Sequence, residues 1–185
     1  MANVILPPKA PNLPLAPSEY LRAYFDQLTS ILRLYFNQLD GYNTAVSPAV
    51  GSFAAVTSQS VAAANTATKI HLDTTLVENG ISIDATGTIT VAQPGKYLVN
   101  YTVSGNVGSW GGGAARVIWL RLNGTNAVES ARNTVGSYVL EVSPSDYVEF
   151  YWASSSSSDV MTATSATGYC PAIPAATLTM NFIST

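Results

Sequence analysis

The side chains most able to perform acid–base or nucleophilic chemistry are one histidine and one cysteine, His71 and Cys170. A hydrolytic triad needs a histidine base, but His71 lies in Lys-Ile-His-Leu-Asp, whose alternation is typical of a β-strand. A zinc site needs three or four ligands that this pair does not supply. A single cysteine forms no internal disulfide, so the sequence gives no sign of an oxidising compartment. We therefore expect structural roles for both residues, with no cofactor and no metal.

Carboxylates are the remaining source of chemistry, and the chain has eleven acidic residues. They are scattered, and no two stand in a recognisable setting for two-carboxylate glycoside hydrolysis. Asp73, Glu78 and Asp84 are close enough in sequence to gather at one loop and hold Ca²⁺, although the EF-hand spacing is absent. The sequence thus predicts a non-enzymatic protein, with a calcium site as an alternative.

The composition indicates a protein that associates. Charged residues make up 10% of the chain and hydrophobic residues 47%, which is unusual for a disordered chain and for a cytosolic monomer. No Lys/Arg cluster is present, so nucleic-acid binding is not expected. No stretch approaches the roughly 20 apolar residues of a membrane span, so membrane insertion is not expected. The first residues lack the positive segment of a signal peptide, which predicts a protein made in a cytoplasm and not exported.

Residues 1–17 contain five prolines. Proline at this density excludes helix and favours an extended, polyproline-like path. Most of the other residues are apolar, which is unusual for a linker. We interpret the segment as an anchoring arm that lays side chains into a groove of a partner, with a disordered leader as the alternative. The expected anchoring residues are Val4, Ile5, Leu6, Pro7, Pro8, Leu13 and Leu15.

Residues 18–41 have the pattern of an amphipathic helix. Ser18 suits an N-cap, Glu19 suits the first turn, and Gly41 is a stop signal. Apolar residues recur with spacings of four, three, four, three and four, which is a heptad seam. Such a helix alone would be marginal in water and would expose a large apolar face. We predict either a three-helix stem or a helix docked on another protein; the seam residues are Leu21, Phe25, Leu28, Leu32, Tyr35 and Leu39.

After a hinge at 42–50, residues 51–185 have the sequence pattern of a β-domain. Asn-Gly at 79–80 and at 123–124 are hairpin-turn signals. About ten short strands in ~135 residues predict a sandwich of antiparallel sheets. The predicted strands are 52–57, 68–72, 81–84, 87–91, 96–104, 114–123, 127–133, 137–142, 146–153 and 176–184.

Four segments of this domain carry a resemblance. They are 86–91 running into Gln-Pro-Gly-Lys-Tyr at 93–97, the turn at 121–124, the turn at 142–148, and the closing strand from 176. Together they resemble the tumour-necrosis-factor-like jelly roll, the fold shared with the complement globular head. In that family the tyrosine after Pro-Gly opens a central strand and packs inside, and a Gly-Asp turn makes the hairpin before the next-to-last strand. Here Ser145 stands in place of the glycine.

The resemblance implies a mainly β fold class: a C-terminal antiparallel jelly-roll sandwich, preceded by one amphipathic helix and an extended arm. It also implies a homotrimer, since the family trimerises through aromatic and aliphatic residues of one sheet. The composition agrees, because seven bulky aromatic residues lie on strands with large groups on both faces and do not all fit one small core. Burial at subunit contacts would accommodate the excess. The seven are Tyr97, Tyr101, Trp119, Tyr138, Tyr147, Tyr151 and Trp152.

The N-terminal segment carries a second resemblance. Leu-Pro-Pro-Lys-Ala-Pro-Asn-Leu-Pro-Leu-Ala-Pro-Ser-Glu-Tyr at 6–20, followed by Leu-Arg-Leu-Tyr-Phe-Asn-Gln-Leu-Asp at 32–40, is similar to the head of small structural proteins of marine cyanophages and related tailed phages. This implies attachment to other virion proteins and a place on the virion surface, after synthesis in the host cytoplasm. The expected function is a trimeric capsid decoration or head-fibre protein. The alternatives are a tail-associated fibre or knob that binds a host glycan or protein, and a soluble jelly-roll lectin or accessory module.

A binding surface is expected at the far tip of the jelly roll. Counting strand reversals back from the C-terminus groups the loops at 104–113, 135–136 and 154–175 there. Trp110 stands among glycines with no obvious core to join, so either it contacts a sugar or a protein, or it folds back as a plug. The candidate tip-binding residues are Trp110, Asp159 and Tyr169.

Overall fold

The computed structural model describes residues 9–13, 19, 21–46, 48–104 and 115–185, and for 41–46 it describes the backbone alone. The chain divides into two compact units, Met1–Pro48 and Ala49–Thr185. The first unit contains a helix and the second contains the strands.

Helix α1 spans Arg22–Val46, 25 residues or about 37 Å. The predicted stop at Gly41 is wrong, because a glycine inside a helix costs only about 1 kcal/mol and does not end it. The helix ends at Val46, two residues before Pro48, which agrees with the general rule that a proline disfavours helix just before it. The predicted hinge at 42–50 is therefore wrong over most of its length. Glu19 precedes the first turn, and the predicted N-cap Ser18 lies outside the described residues.

Thirteen strands follow among the described residues, and most of them form two antiparallel sheets. A five-stranded sheet has the order β10-β7-β13-β1-β4. A six-stranded sheet has the order β5-β6-β11-β8-β9, with β3 also paired to β11, while β2 and β12 form a short ladder of their own. The strands are β1 Val50–Ala55, β2 Gln59–Ser60, β3 Thr68–Lys69, β4 Thr74–Asn79, β5 Ile81–Ile83, β6 Ile89–Val91, β7 Gly95–Val103, β8 Arg116–Leu122, β9 Thr125–Asn126, β10 Val135–Val142, β11 Tyr147–Ser154, β12 Val160–Met161 and β13 Ala176–Ser184.

The core lies between the two sheets and follows from the alternation of the strands. Along β7 every second residue is buried, from Gly95 through Tyr97 to Val103. Tyr97 and Trp152 are fully buried, and the Tyr97 hydroxyl donates to the Gln93 carbonyl oxygen at 2.7 Å. The tyrosine after Pro-Gly thus opens a central strand and packs inside, as the resemblance implied. Full burial of one such side chain contributes about 1.5–3 kcal/mol.

The path of the chain confirms the antiparallel jelly-roll sandwich. β1 and β4 lie in the five-stranded sheet, β5 and β6 in the other, and the chain crosses again before β7, β8, β10, β11 and β13. This repeated crossing between the layers is the Greek-key path of a jelly roll. It brings the first and last strands together, because β1 pairs with β13.

Several local predictions differ from the structure. Asn79-Gly80 is not a hairpin turn, since β4 pairs with β1 and β5 pairs with β6 in the other sheet. The turn before Tyr147 likewise leads from one sheet to the other. The strand predicted at 127–133 is wrong; there the chain forms a loop joined to Ile118 by one bridge at Arg132. The hairpin at Asn123-Gly124 is confirmed by the pairing of β8 with β9.

Candidate functional site

One end of the sandwich gathers the loops that the sequence predicted to share a tip. In the five-stranded sheet Ala176 pairs with Val103, and in the six-stranded sheet Ser154 pairs with Arg116. A hydrogen bond of 2.9 Å from Arg116 Nη1 to the Ser104 carbonyl oxygen joins the two layers at this point. We call this the Arg116 end of the sandwich. It holds the described parts of the predicted tip loops, at residues 104, 135–136 and 154–175.

Arg116 and Asp159 form an almost buried ion pair there. The two side chains are 1% and 11% exposed. Arg116 Nη2 and Nε donate to the two carboxylate oxygens of Asp159 at 2.5 and 3.1 Å, which is a bidentate geometry. Nη2 also reaches the Val160 carbonyl oxygen at 3.1 Å, and the guanidinium lies 5.3 Å from the centre of the Trp152 ring. Both carboxylate oxygens of Asp159 are thereby occupied by Arg116.

The electrostatics of the pair keep Asp159 ionised. Burial by itself raises the pKa of this carboxyl, but the hydrogen bonds from Arg116 and Ser154 and the charge of the guanidinium outweigh burial. The net pKa lies below the ordinary value of 3.8. At neutral pH the Asp159 carboxylate is therefore ionised, and its hydrogen bonds with Arg116 act as a clamp between the loops.

Hydrogen bonds hold both flanks of the 105–114 segment, one of them through the clamp. Ser104 is held through its carbonyl by Arg116, and its hydroxyl donates to the Thr162 carbonyl oxygen at 2.5 Å. On the other flank, Ala115 N donates to Ser155 Oγ and Ser155 N donates to the Ala115 carbonyl oxygen, both at 2.9 Å. Trp110 lies outside the described residues, so its role stays a prediction.

Of the other predicted tip residues, Tyr169 is 93% exposed. It lies near the turn of a short hairpin in which Thr164 and Ile173 exchange two backbone hydrogen bonds of 2.8 and 2.9 Å, closed by a bond from Thr167 N to the Cys170 carbonyl oxygen. The hairpin presents the tyrosine ring to solvent at the Arg116 end. Asp159, in contrast, is committed to the clamp.

A groove of about 510 Å³ runs beside this hairpin. Leu76 on the edge strand β4 is 58% exposed, and Val56 and Ile173 are also exposed. The groove lining contains no charged side chain, so the groove suits apolar contact. Its lining residues are Ala54, Val56, Ser58, Leu76, Ala163, Thr164, Ser165, Ala172, Ile173 and Pro174.

Of the three acidic residues considered for calcium, Asp73 and Asp84 serve separate turns, and Glu78 lies on the edge strand β4. The Asp73 carboxylate accepts from Val56 N and from the Thr57 hydroxyl, both at 2.9 Å. Asp84 Oδ1 accepts from the backbone N and the hydroxyl of Thr86 at 2.8 and 2.7 Å. Within the described ranges no group of three or more histidine, cysteine or acidic residues is placed to hold a metal ion.

The outer face of the five-stranded sheet is nearly uncharged along its three central strands. β7, β13 and β1 present Thr102, Asn100, Leu98, Lys96, Thr177, Thr179, Asn181, Ser52 and Val50, of which Lys96 alone is charged. Exposed Val135 and Val139 continue this surface on the neighbouring edge strand β10. Small hydroxyl and amide side chains let another protein surface approach closely.

The seven surplus aromatic residues divide between the core and the surface. Tyr97, Tyr101 and Trp152 are fully buried, and Tyr138 packs against the core, so four of the seven lie in or against the core. Tyr147 is exposed. Trp119 and Tyr151 lie next to each other on the outer face of the six-stranded sheet, with ring centres 6.0 Å apart.

The helix exposes apolar side chains on more than one side. Leu21 immediately precedes the helix, and its carbonyl accepts from the backbone N of Tyr24. Phe25 and Leu34, nine residues apart and therefore on opposite sides, are both exposed. The remaining seam residues Leu28, Leu32, Tyr35 and Leu39 are half-buried. Among the helices of the described residues, none is long and apolar enough to cross a membrane.

Of the predicted anchoring residues, Leu13 is described, and it is half exposed. Val4, Ile5, Leu6, Pro7, Pro8 and Leu15 lie outside the described residues. The anchoring role therefore stays a prediction.

No protein-family model matches the chain, and neither does any curated protein. Among solved structures, murine APRIL at pH 8.0 aligns with a TM-score of 0.46 and 11% identity, covering 74% of this chain and 99% of that one. Pika GITRL aligns with a TM-score of 0.39 and 11% identity, covering 75% and 97%. The jelly-roll assignment rests on the strand order of the chain itself.

Sequence reasoning did not identify Arg116. Its partner Asp159 is 43 residues away, and no periodicity links them. The available signal was a cation at the start of the apolar strand Arg-Val-Ile-Trp-Leu, because a charge there must find a partner when the strand is buried.

Proposed function

We propose that the chain is a non-enzymatic structural protein of a tailed-phage virion, a trimeric capsid decoration or head-fibre protein. The arm and the helix attach it to the particle, and the jelly roll projects from the surface. The observation that carries the proposal is the extent of uncharged or apolar surface, on α1 and on the five-stranded sheet, that one chain leaves exposed.

The outer face of the five-stranded sheet supports self-association. Its side chains are small and nearly all uncharged, so covering it removes little charge from water. The exposed Val135 and Val139 of β10 add apolar area at one edge. A head-to-tail contact between this edge and the face of the next chain closes into a ring, which suits a cyclic trimer.

The helix supports both assembly and attachment. Because Phe25 and Leu34 are exposed on opposite sides, packing on one partner covers only one of them. Sister helices packed on the seam would cover Phe25, and a virion protein on the other side would cover Leu34. This arrangement fits a helix that serves as stem and as part of the anchor.

Mass measurement tests the trimer. The expected mass is three times 19.4 kDa, about 58 kDa. Thr179→Arg places a charge at the centre of the uncharged face and should dissociate the assembly, whereas Ser82→Arg, on an exposed serine of the other sheet, should not. A wild-type mass of 19.4 kDa overturns the trimer; a trimer unaffected by Thr179→Arg overturns the role of this face.

Cryo-electron microscopy of the particle, with a count of copies, tests the location. Tens to hundreds of trimers on the shell support decoration of the capsid, and absence from the particle overturns the proposal. A few trimers on the tail support the second candidate, a host-binding knob. The exposed Tyr169 hairpin and the adjacent uncharged groove at the Arg116 end favour that candidate.

A further inference from the structure

The outer face of the six-stranded sheet carries an ordered aromatic pair. Trp119 on β8 lies directly opposite Tyr151 on β11 in the ladder. Their ring centres are 6.0 Å apart and the ring planes differ by 31°. Both side chains are half-buried, so each keeps part of its surface open to solvent. We call the pair and Arg121, two residues along β8, the aromatic platform.

Neighbouring groups fix the platform in place. Asn126 lies opposite Arg121 in the β8–β9 hairpin. Its Oδ1 accepts from Trp119 Nε1 at 2.9 Å and from Arg121 Nε at 2.8 Å. The Arg121 guanidinium in turn lies 4.0 Å from the centre of the Tyr151 ring. A ligand that binds here does not have to order these side chains, which removes a cost of binding.

Polar groups border the rings. Lys69 pairs with Tyr151 on the side away from Trp119, and Lys69 Nζ lies 2.9 Å from Glu149 Oε1. In the described part of the chain, no hydrogen bond engages the Tyr151 hydroxyl or the terminal nitrogens of Arg121. Lys69 Nζ also donates to Thr88 Oγ1 at 2.7 Å and interacts with the charge of Asp84, so its own charge is largely balanced. The border therefore offers the Tyr151 hydroxyl and the terminal nitrogens of Arg121 to a ligand, and the Arg121 guanidinium is the charge that would favour an acidic one.

We propose that the aromatic platform binds a saccharide, with preference for an acidic one. A sugar ring has an apolar C–H face that packs on an aromatic ring, and hydroxyl groups around its edge that pair with charged and amide side chains. A dry protein interface fits less well, because it would remove the partly exposed Arg121 guanidinium from water at a desolvation cost. A sugar leaves this border hydrated, and water bridges the remaining gaps.

The platform stays accessible in the proposed trimer. It lies on the six-stranded sheet, whereas the proposed subunit contact uses the outer face of the five-stranded sheet, on the opposite side of the sandwich. The inference does not depend on the virion assignment. It is tested by saccharide binding, whereas the proposed function is tested by mass and copy number.

Titration of the full chain with defined saccharides tests the proposal. The probes are oligogalacturonate and alginate oligosaccharides as acidic ligands, and malto- and chito-oligosaccharides as neutral ones, followed by calorimetry and tryptophan fluorescence. We expect the acidic probes to bind more tightly than the neutral ones, and their binding to weaken with added salt. Failure of the wild-type chain to bind any of the four overturns the proposal.

Variants locate the binding. Trp119→Ala should weaken it by about tenfold or more, as for truncation of a central aromatic contact, and Arg121→Gln should reduce the preference for acidic probes while leaving the platform folded. Phe36→Ala, which removes an exposed aromatic side chain of the helix, is the matched control and should bind as wild type. Circular dichroism verifies each fold; if Trp119→Ala does not fold, Arg121→Gln decides. Loss in Phe36→Ala, or no change in both platform variants, contradicts the assignment.

Discussion

The ring of Tyr101 lies directly against Gly136 on the neighbouring strand. A Cβ at position 136 would come within 2.2 Å of a ring carbon, and the two residues are partners in the β7–β10 ladder. The Tyr101 hydroxyl donates to the Ser130 carbonyl oxygen, which leaves the ring no room to move away. The glycine on β10 thus makes space for a buried tyrosine that connects β7 to the 127–133 loop.

Gly136→Ala should therefore destabilise the domain by about 1–3 kcal/mol, the usual cost of overpacking a core. Urea denaturation at a fixed chain concentration measures the change. Gly168→Ala is the control, because a Cβ there meets nothing within 4 Å, and it should change stability by less than about 0.5 kcal/mol. Equal effects of the two substitutions would contradict the steric explanation.

Asp159→Asn should be strongly destabilising, by about 3 kcal/mol or more, because it leaves the buried Arg116 guanidinium without its counter-charge. Asp26→Asn removes an exposed helical pair with Arg22, and should cost no more than about 0.5 kcal/mol.

The double replacement Arg116→Met with Asp159→Leu should recover much of the loss, since an apolar pair leaves no buried charge. Thermal denaturation compares the wild type with Asp159→Asn, Asp26→Asn and the double variant. A double variant as unstable as Asp159→Asn would indicate that the hydrogen bonds from Arg116 to Ser104 and Val160 matter more than its charge.

Acid should weaken the fold. The pKa of Asp159 is below 3.8 in the folded chain, for the reasons given above. Burial also raises the pKa of Asp73, but hydrogen bonds from Val56, Thr57 and Thr74 outweigh it and lower the net value. A depressed folded-state pKa contributes stability that is present above the unfolded-state value and is lost as pH falls through the folded-state value.

We therefore expect stability to hold near neutral pH and to decline below about pH 4. Denaturation midpoints from pH 7 down to pH 2 measure this decline. The stability of Asp159→Asn should depend less steeply on pH than that of the wild type, because the variant has no carboxylate at position 159 to take up a proton on unfolding. A parallel dependence in the two proteins would contradict a role for Asp159 in the acid response.

The helix seam is tested by Leu28→Gln combined with Leu32→Gln. If sister helices pack along this seam, the trimer should dissociate at higher chain concentrations than the wild type, as measured by sedimentation. Arg33→Gln, an exposed position on the same helix, is the control. An unchanged trimer together with loss of incorporation into the particle would contradict a stem and indicate docking on a virion protein.

The sequence was informative wherever one face of an element is buried. The alternation in β7, β8, β11 and β13 predicted those strands, and Asn123-Gly124 predicted its hairpin, because Asn123 and Gly124 both adopt the left-handed conformation with φ of 51° and 75°. β4 escaped prediction, since Thr-Thr-Leu-Val-Glu-Asn lies at a sheet edge and is largely exposed on both faces.

Other features depend on distant parts of the chain. Asn79-Gly80 has the residues of a hairpin turn, but whether the next strand pairs back or crosses to the other sheet is decided by its partners. The Arg116–Asp159 clamp joins residues that no local pattern relates. The aromatic platform was visible in the sequence only as surplus aromatics, since the facing of Trp119 and Tyr151 requires the register of β8 against β11.

The pairing of β1 with β13 has a practical consequence for adding new segments. The Phe182 backbone N donates to the Ala49 carbonyl oxygen at 2.9 Å, so the chain begins and ends the sandwich at the same end, opposite Arg116. A peptide fused after Thr185 would emerge beside the point where the polypeptide enters the domain. A peptide inserted at Gly168 would instead emerge from the Tyr169 hairpin, at the other end, making that hairpin the better site for display.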